Sequence, residues 1–328
     1  MKAKFLFVLF LLFCIRSSAQ AANIKSAEKL TEDGNYTCAV WSPDGTKFFA
    51  LQSKTGLVLF DASGRNRKAL KDGYNDITKP SWSFDGNKII SECTGDQSLL
   101  LFDLVSEKAY FLEEINAGTG NMQVLTRVFG PCFSADNDNI YHFYWRQNHG
   151  TTESQLRQYA LSAKGWDKIT EMIMDRRNYG NMAVSPKGGG LVFMRDLMKE
   201  LHTLYSVNLE TGKKKLVCGD LKGGNPSWSP DGKYIYTGAE LVNPAEKTAV
   251  KNLPESVLAS WSSDSKRIVG VEKGTEGAIF IYDIETGKKE ILQKKDLKAA
   301  AVSFTADGKK AVCVDAKDGN LFLLTIEY

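Results

Sequence analysis

Histidine is scarce in this sequence: His142, His149 and His202 are the three present among 328 residues. No Gly-x-Ser-x-Gly elbow, His-Glu-x-x-His pair, P-loop or strand-linked Gly-x-Gly-x-x-Gly occurs either. Serine hydrolysis, zincin chemistry and nucleotide binding therefore lack their usual sequence carriers. Adjacent carboxylates such as Glu113-Glu114 point to opposite faces of a strand, which is wrong for acid/base pairing. Paired C-x-x-C spacing is also missing, so zinc and thioredoxin-like chemistry are unsupported. Cys38, Cys93, Cys132, Cys218 and Cys313 are scattered, several in strand-like runs such as Ala311-Val312-Cys313-Val314. They read as small buried thiols, with one disulfide among them left open. No metal and no cofactor is expected.

Long apolar runs are confined to the start of the chain. Lys2 and Lys4 precede Phe5 to Ile15, followed by Arg16-Ser17-Ser18-Ala19. Eleven apolar residues would rise roughly 16 Å as a helix, about half of a ~30 Å bilayer core. This pattern predicts a secretory signal over residues 1–19, cleaved after Ala19, and hence a periplasmic protein with no transmembrane segment. A lipoprotein signal acylated at Cys14 would want a small residue where Phe13 stands. Once three of the 42 basic residues leave with the signal, the remaining 39 match the 39 acidic ones. A nucleic-acid binder would show a basic face or stripe, so nucleic acid is excluded as a partner.

What the sequence does contain is one phrase repeated seven times: an aromatic or apolar residue, then Ser or Thr, then a turn, then an apolar strand. The copies begin at Trp41, Trp82, Phe133, Val184, Trp228, Trp261 and Phe304. Their spacings of 41, 51, 51, 44, 33 and 43 residues centre on the length of a four-stranded propeller blade. In copies such as Trp228-Ser229-Pro230-Asp231-Gly232, Pro presets φ, Asp supports the turn through local hydrogen bonds, and Gly tolerates positive φ. Each turn is followed by an apolar strand, a second one often ending in Asp, as in Leu57 to Asp61 or Ile279 to Asp283, and a polar outer strand such as Lys289 to Leu292. Helical periodicity is nearly absent; Leu297 to Ala301 is a short ambiguous piece.

These units predict an all-β, seven-bladed β-propeller of four-stranded antiparallel blades filling residues 20–328 as a single domain. The four repeat tryptophans would fill the gaps between blades. The last unit ends on its third strand, Leu321 to Ile326, and Ile24 to Leu30 precedes the first phrase. The N-terminal strand is thus expected to close the last blade. The 33-residue unit after Trp228 is short and interrupted by Pro244 and Pro254, which leaves its fourth strand in question. The 51-residue units carry extra length after Leu112 and around Trp145 to Ser154, where long loops would carry function.

The phrase Trp-Ser-Pro-Asp-Gly-Lys-Tyr-Ile at 228 to 235 and its looser copies resemble the WD-like repeats of the TolB family of periplasmic propellers. The same repeat marks propellers of prolyl-oligopeptidase-type enzymes and of oligogalacturonate lyase. The resemblance covers the propeller portion of TolB alone: its N-terminal α/β domain has no counterpart here, and it has six blades. It implies a non-enzymatic scaffold whose partner is a peptidoglycan-associated or outer-membrane protein. Oligogalacturonate lyase would imply late metal-binding histidines, and none follows His202.

In such a ring, the loops leading into the inner strands and those between second and third strands gather on one face. That face is expected to carry Tyr36, Tyr74, Asn75, Arg127, Trp145, His149, Arg176, Arg177, Asn178, Tyr179 and Asn225, rich in the Tyr and Arg typical of binding hot spots. His142, in a strand with Tyr144, reads as packed. The expectation is a monomeric, exported scaffold for an envelope-associated protein. The alternative is a propeller that binds or cleaves a glycan, with Tyr36, Tyr74, Trp145 and Tyr179 as stacking platforms and Arg176 or Arg177 contacting carboxylates.

Overall fold

The computed structural model describes residues 22–70, 76–94, 98–112, 125–148, 151–171, 179–198, 201–292, 294 and 296–328. Residues 1–19, assigned above to a signal, lie outside the described residues. The described chain forms seven antiparallel sheets of four strands each.

Blade 1 comprises β2 (Tyr36–Trp41), β3 (Lys47–Gln52), β4 (Gly56–Asp61) and β5 (Arg67–Ala69). Blade 2 comprises β6 (Ile77–Trp82), β7 (Lys88–Cys93), β8 (Ser98–Asp103) and β9 (Lys108–Phe111). In blade 3 the strands lengthen: β10 (Leu125–Phe133), β11 (Asn139–Asn148), β12 (Thr151–Ala160) and β13 (Gly165–Glu171). Blade 4 holds β14 (Tyr179–Val184), β15 (Gly190–Met198), β16 (Leu201–Asn208) and β17 (Lys214–Leu221). Blade 5 is short: β18 (Ser227–Trp228), β19 (Ile235–Tyr236), β20 (Glu240–Asn243) and β21 (Thr248–Asn252). Blade 6 contains β22 (Ser256–Trp261), β23 (Arg267–Glu272), β24 (Ile279–Asp283) and β25 (Lys289–Leu292). Blade 7 is β26 (Ala299–Phe304), β27 (Lys310–Asp315) and β28 (Leu321–Glu327), completed by β1 (Asn23–Lys29).

The ring therefore closes as the sequence predicts. β1 runs antiparallel to β28 from Asn23 opposite Glu327 to Lys29 opposite Phe322. Past the strand, Thr31 locks the seam: its hydroxyl donates to Asn320 Oδ1 (3.2 Å) and accepts the Leu321 amide (2.9 Å). The Gly34 amide reaches the same Asn320 oxygen at 3.0 Å. Blade 5 has its fourth strand despite its length; the saving comes from two-residue β19 and the short link, residues 237–239, that joins it to β20. Leu297 and Lys298 are irregular, and Ala299 already belongs to β26, so no helix forms there.

Why the second and third strands are apolar at nearly every position follows from the geometry. A blade in a ring has two neighbours, so both of its faces are buried. Phe48 packs with Val312, Val314 and Leu321 of blade 7, whereas Phe49, one residue on, packs with Ile89, Leu100 and Phe102 of blade 2. Both phenylalanines are fully buried, and each such side chain contributes roughly 1.5–3 kcal/mol. The first strands pack on one another around the channel, β26 on β2, β6 on β10 and β10 on β14. Six of these seven inner strands break register with the next strand, for instance between Thr78 and Ser81 and between Phe129 and Cys132. Such bulges sharpen the strand twist a propeller needs near its axis.

The repeated phrase does its work through one hydroxyl. Ser83 Oγ donates to Asp85 Oδ1 at 2.6 Å and accepts the Lys88 amide at 2.9 Å, bridging the turn to the next strand. Ser42, Ser134, Ser229, Ser262 and Thr305 repeat both contacts. Where a tryptophan precedes the turn, it ties neighbouring blades together in three of four cases. The indole N–H of Trp82 donates to Val40 O (3.1 Å), that of Trp228 to Ala183 O (3.2 Å) and that of Trp261 to Ser227 O (3.2 Å), each in the preceding blade. Trp41, at the seam, is the exception: its buried indole N–H has no acceptor, and its backbone amide donates to Ser303 Oγ instead.

Candidate functional site

The Ser-Asp turns line one rim of the ring. The opposite rim is where inner strands begin and second strands end, and the described residues among those expected at the site, Tyr36, Arg127, Trp145, Tyr179 and Asn225, map to it. Tyr74, Asn75, His149, Arg176, Arg177 and Asn178 lie outside the described residues, as do Glu113-Glu114 and the insertion 116–121. Tyr179 opens β14, opposite Arg195 of β15.

Tyr36 and Trp145 are on this rim but are buried, at 3% and 4% exposure. Tyr36 meets the Phe60 ring edge-on, and its hydroxyl accepts from Arg67 Nη1 at 3.1 Å. Burial, and then the Asp33 charge, push its pKa up. Neither ring offers an open stacking face, because strand alternation turns both toward a neighbouring blade rather than toward solvent. Arg127 is exposed on β10. Asn225, in the loop before β18, is exposed and accepts from Asn181 Nδ2 at 2.7 Å, so these two residues bridge blades 4 and 5. The extra length of blade 3 around Trp145 is not a long loop in its described part. It is the hairpin of β11 and β12, paired without slippage from Asn139 opposite Ala160 to Asn148 opposite Thr151.

Two buried carboxylates on the same rim have structural roles. Glu92 of β7, 7% exposed, accepts the Gly130 amide of blade 3 at 2.7 Å and pairs with Lys79 Nζ at 3.1 Å. Gly130 is in the left-handed region, φ 64°, at the bulge of β10. Glu240 of β20, 5% exposed, accepts the Lys222 amide (2.9 Å), the Gly223 amide (3.2 Å) and the Thr237 hydroxyl (2.7 Å). A Cβ on Gly223 would fall 2.3 Å from Thr237 O, so only glycine fits beneath this carboxylate. Both acids are saturated with donors, which suits packing rather than proton transfer.

His142 is fully buried, and the His202 ring packs against Gly224. The five described cysteines are free thiols. Burial pushes the Cys38 thiol up to about 11, and burial with the Asp315 charge pushes Cys313 up to about 12; Cys132 is also raised by burial. Such thiols stay protonated and unreactive at neutral pH. Among the described residues no three His, Cys, Asp or Glu side chains cluster as a metal site.

The basic residues divide sharply. Arg65 pairs with Glu28, Arg67 with Asp33, Arg157 bonds Gln155 and lies over the Tyr144 ring, and Arg267 lies over Tyr328. The side chains of the other described arginines, Arg127, Arg146 and Arg195, make no hydrogen bond or ion pair among the described residues. All three belong to the rim ends of blades 3 and 4. Arg127 was among the residues expected at the site from the sequence, and Arg195 was not. The signal for Arg195 was present: it stands two residues after Phe193, on the face that strand alternation assigns to the core.

No protein-family model and no curated protein matches the chain. Solved structures do. An oligogalacturonate lyase in complex with manganese superposes with a TM-score of 0.69 at 14% identity, covering 94% of this chain and 96% of that one. An oligogalacturonate lyase from Vibrio parahaemolyticus gives 0.66 at 13%, with 94% of each chain covered. The β-propeller domain of Cps50 (Swd1) from Myceliophteria thermophila gives 0.65 at 12%, covering 92% and 99%. The likeness is one of fold. Two lyases and the Cps50 (Swd1) propeller match the chain to a similar degree, so the ring itself does not select a function.

Proposed function

We propose that this chain is an exported, non-enzymatic propeller that binds an envelope-associated protein on the rim where its inner strands begin, over blades 3 and 4. The supporting observation is the set of three uncommitted arginines at one sector of one rim, while the other described arginines are engaged. An arginine left without a carboxylate inside its own protein is a ready anchor for one on a partner, since its fork matches a carboxylate in two parallel bonds. The elongated hairpin of β11 and β12 raises this sector above the rest of the rim.

A second reading, a glycan-binding or glycan-cleaving propeller, draws on the superposition with the two lyases. Against it, no histidine follows His202 and two of its four stacking platforms, Tyr36 and Trp145, are buried. The two readings separate by experiment. Crosslinking in intact cells should join blades 3 and 4 to an envelope protein, and the purified pair should re-form and fail to form with Arg127→Ala. Release of unsaturated uronate from uronate oligomers would overturn the first reading. Intact mass of the protein recovered from cells should place its N-terminus at Gln20 if the export reading holds.

A further inference from the structure

The facing surfaces of blades 3 and 4 pack in layers that run up toward the binding rim. In one layer Phe143 meets Phe193 edge-on at 5.6 Å, Phe193 stacks on Tyr205 at 5.5 Å, and Phe129 lies 5.4 Å from Phe143. Two residues further up every strand comes the next layer. Arg127 is opposite Trp145, which is opposite Ser154 in blade 3, and Arg195 is opposite Thr203 in blade 4. These pairs share the faces of the aromatic layer because side chains alternate along regular strands. The register is unbroken between Phe193 and Arg195, between Thr203 and Tyr205 where they pair with β15, and from Phe143 to Trp145.

This upper layer sets Arg127, Arg195 and Thr203 above Phe129, Phe193 and Tyr205, keeping an aromatic ring only at Trp145, and its blade 4 side carries unsatisfied donors. The Thr203 hydroxyl is buried, in a residue 4% exposed, and has no hydrogen-bond partner. Arg195 Nε is buried in the same state, although the residue as a whole is half-buried. A sealed donor on a charged group costs free energy unless something accepts from it. Exposed Arg127 on blade 3 and half-buried Arg195 on blade 4 set two positive charges on the facing surfaces of the two blades, with Thr203 as a third donor.

We propose that this inter-blade niche is a specificity pocket for an acidic side chain, glutamate or aspartate, presented by the bound protein. The inference rests on the binding reading above and deepens it. A carboxylate entering between the blades accepts from Arg195 and from the Thr203 hydroxyl, and its charge is shared with Arg127 at the mouth. A side-chain carboxyl on a flexible stem reaches a buried Nε between two sheets. A carboxyl fixed directly to a sugar ring would have to bring the ring in with it, which favours the peptide.

The test titrates the whole protein at low ionic strength with capped pentaglutamate, capped pentaglutamine and trigalacturonate, followed by calorimetry and melting temperature. Pentaglutamate should bind and raise the melting temperature, and pentaglutamine should do neither. Arg195→Met keeps the stem and removes the charge. It should weaken pentaglutamate binding at least tenfold while leaving the unliganded melting temperature unchanged or higher, the sign opposite to that of a structural arginine. Thr203→Val should weaken binding severalfold without destabilising the ring. Equal binding of the two peptides, unchanged affinity in Arg195→Met, or a fall in its unliganded melting temperature would overturn the proposal. Binding of trigalacturonate in place of pentaglutamate would overturn the peptide assignment. If the crosslinked protein partner binds Arg195→Met normally but not Arg127→Ala, the niche fails and the binding reading stands; loss of neither overturns both.

Discussion

Blade 5 and the blade 3–4 sector are built from the same repeat and solve opposite problems. Blade 5 spends two residues on each of its first two strands, and its buried acid, Glu240, meets two amides and a hydroxyl. Blades 3 and 4 extend strands of eight to ten residues past the common rim, and their upper layer leaves Arg195 Nε and Thr203 Oγ1 without partners. In one region polarity is matched inside the protein and serves the fold. In the other it is left open, which is what a recognition surface requires and a scaffold does not.

The comparison is most severely tested at the seam, which belongs wholly to the scaffold side. Deleting residues 24–30 removes the strand that pairs with β28 and uncovers the edge next to Ile326 and Leu324. It should lower the melting temperature by about 10 °C or more, or abolish cooperative unfolding. An unchanged melt would mean that closure by β1 is dispensable. Next in size, Glu240→Ala removes the acceptor of two buried donors and a part-buried one and should cost about 3 kcal/mol in denaturant unfolding. Glu240→Gln, which keeps one acceptor oxygen, should cost less. If blade 5 tolerates alanine there, its polarity is not structural.

A smaller effect follows from the repeated turns. Hydrogen bonds from Ser134 and the Asp138 amide hold Asp136 below the ordinary carboxylate range, and Thr305 with the Lys309 amide does the same for Asp307. At Asp44, Asp85, Asp231 and Asp264 burial opposes the shift, and the Ser hydroxyl and a backbone amide outweigh it. Folded pKa values below the unfolded ones mean stability that is present above the ordinary carboxylate pKa of about 4 and is lost as pH falls through the lowered values. The melting temperature should therefore be flat from neutrality to about pH 5 and decline below about pH 4. Asp307→Asn should flatten that decline slightly, and no change in slope would remove these turns from the acid response. The smallest expected effect is Arg195→Met without ligand, at or slightly above wild-type stability.

The fold was legible because its information is local. A Ser or Thr, an Asp two residues on in six of the seven copies, and a fifth residue at positive φ in all of them make a hairpin, so seven copies announce seven blades, and the strands predicted at 279–283 and 289–292 appear at those residues. The site was less legible because it depends on which side chains share a gap between two blades. Tyr36 and Trp145 look like platforms in one dimension and are buried in three, since the end of an inner or second strand can face a neighbour as easily as water. Arg195 looks like one more strand residue until the register sets it opposite Thr203 and above Phe193. Blade 5 shows the same limit from the other side: its prolines suggested a missing strand, and the chain shortened its second strand and the link after it instead.

Hydrogen–deuterium exchange on the intact protein, with and without the crosslinked envelope partner, tests the central claim most directly. The account predicts slowed exchange in residues 125–129, 143–156 and 191–205, with the Ser-Asp turns of the opposite rim unchanged. Protection confined to those turns, or spread evenly around the ring, would contradict it.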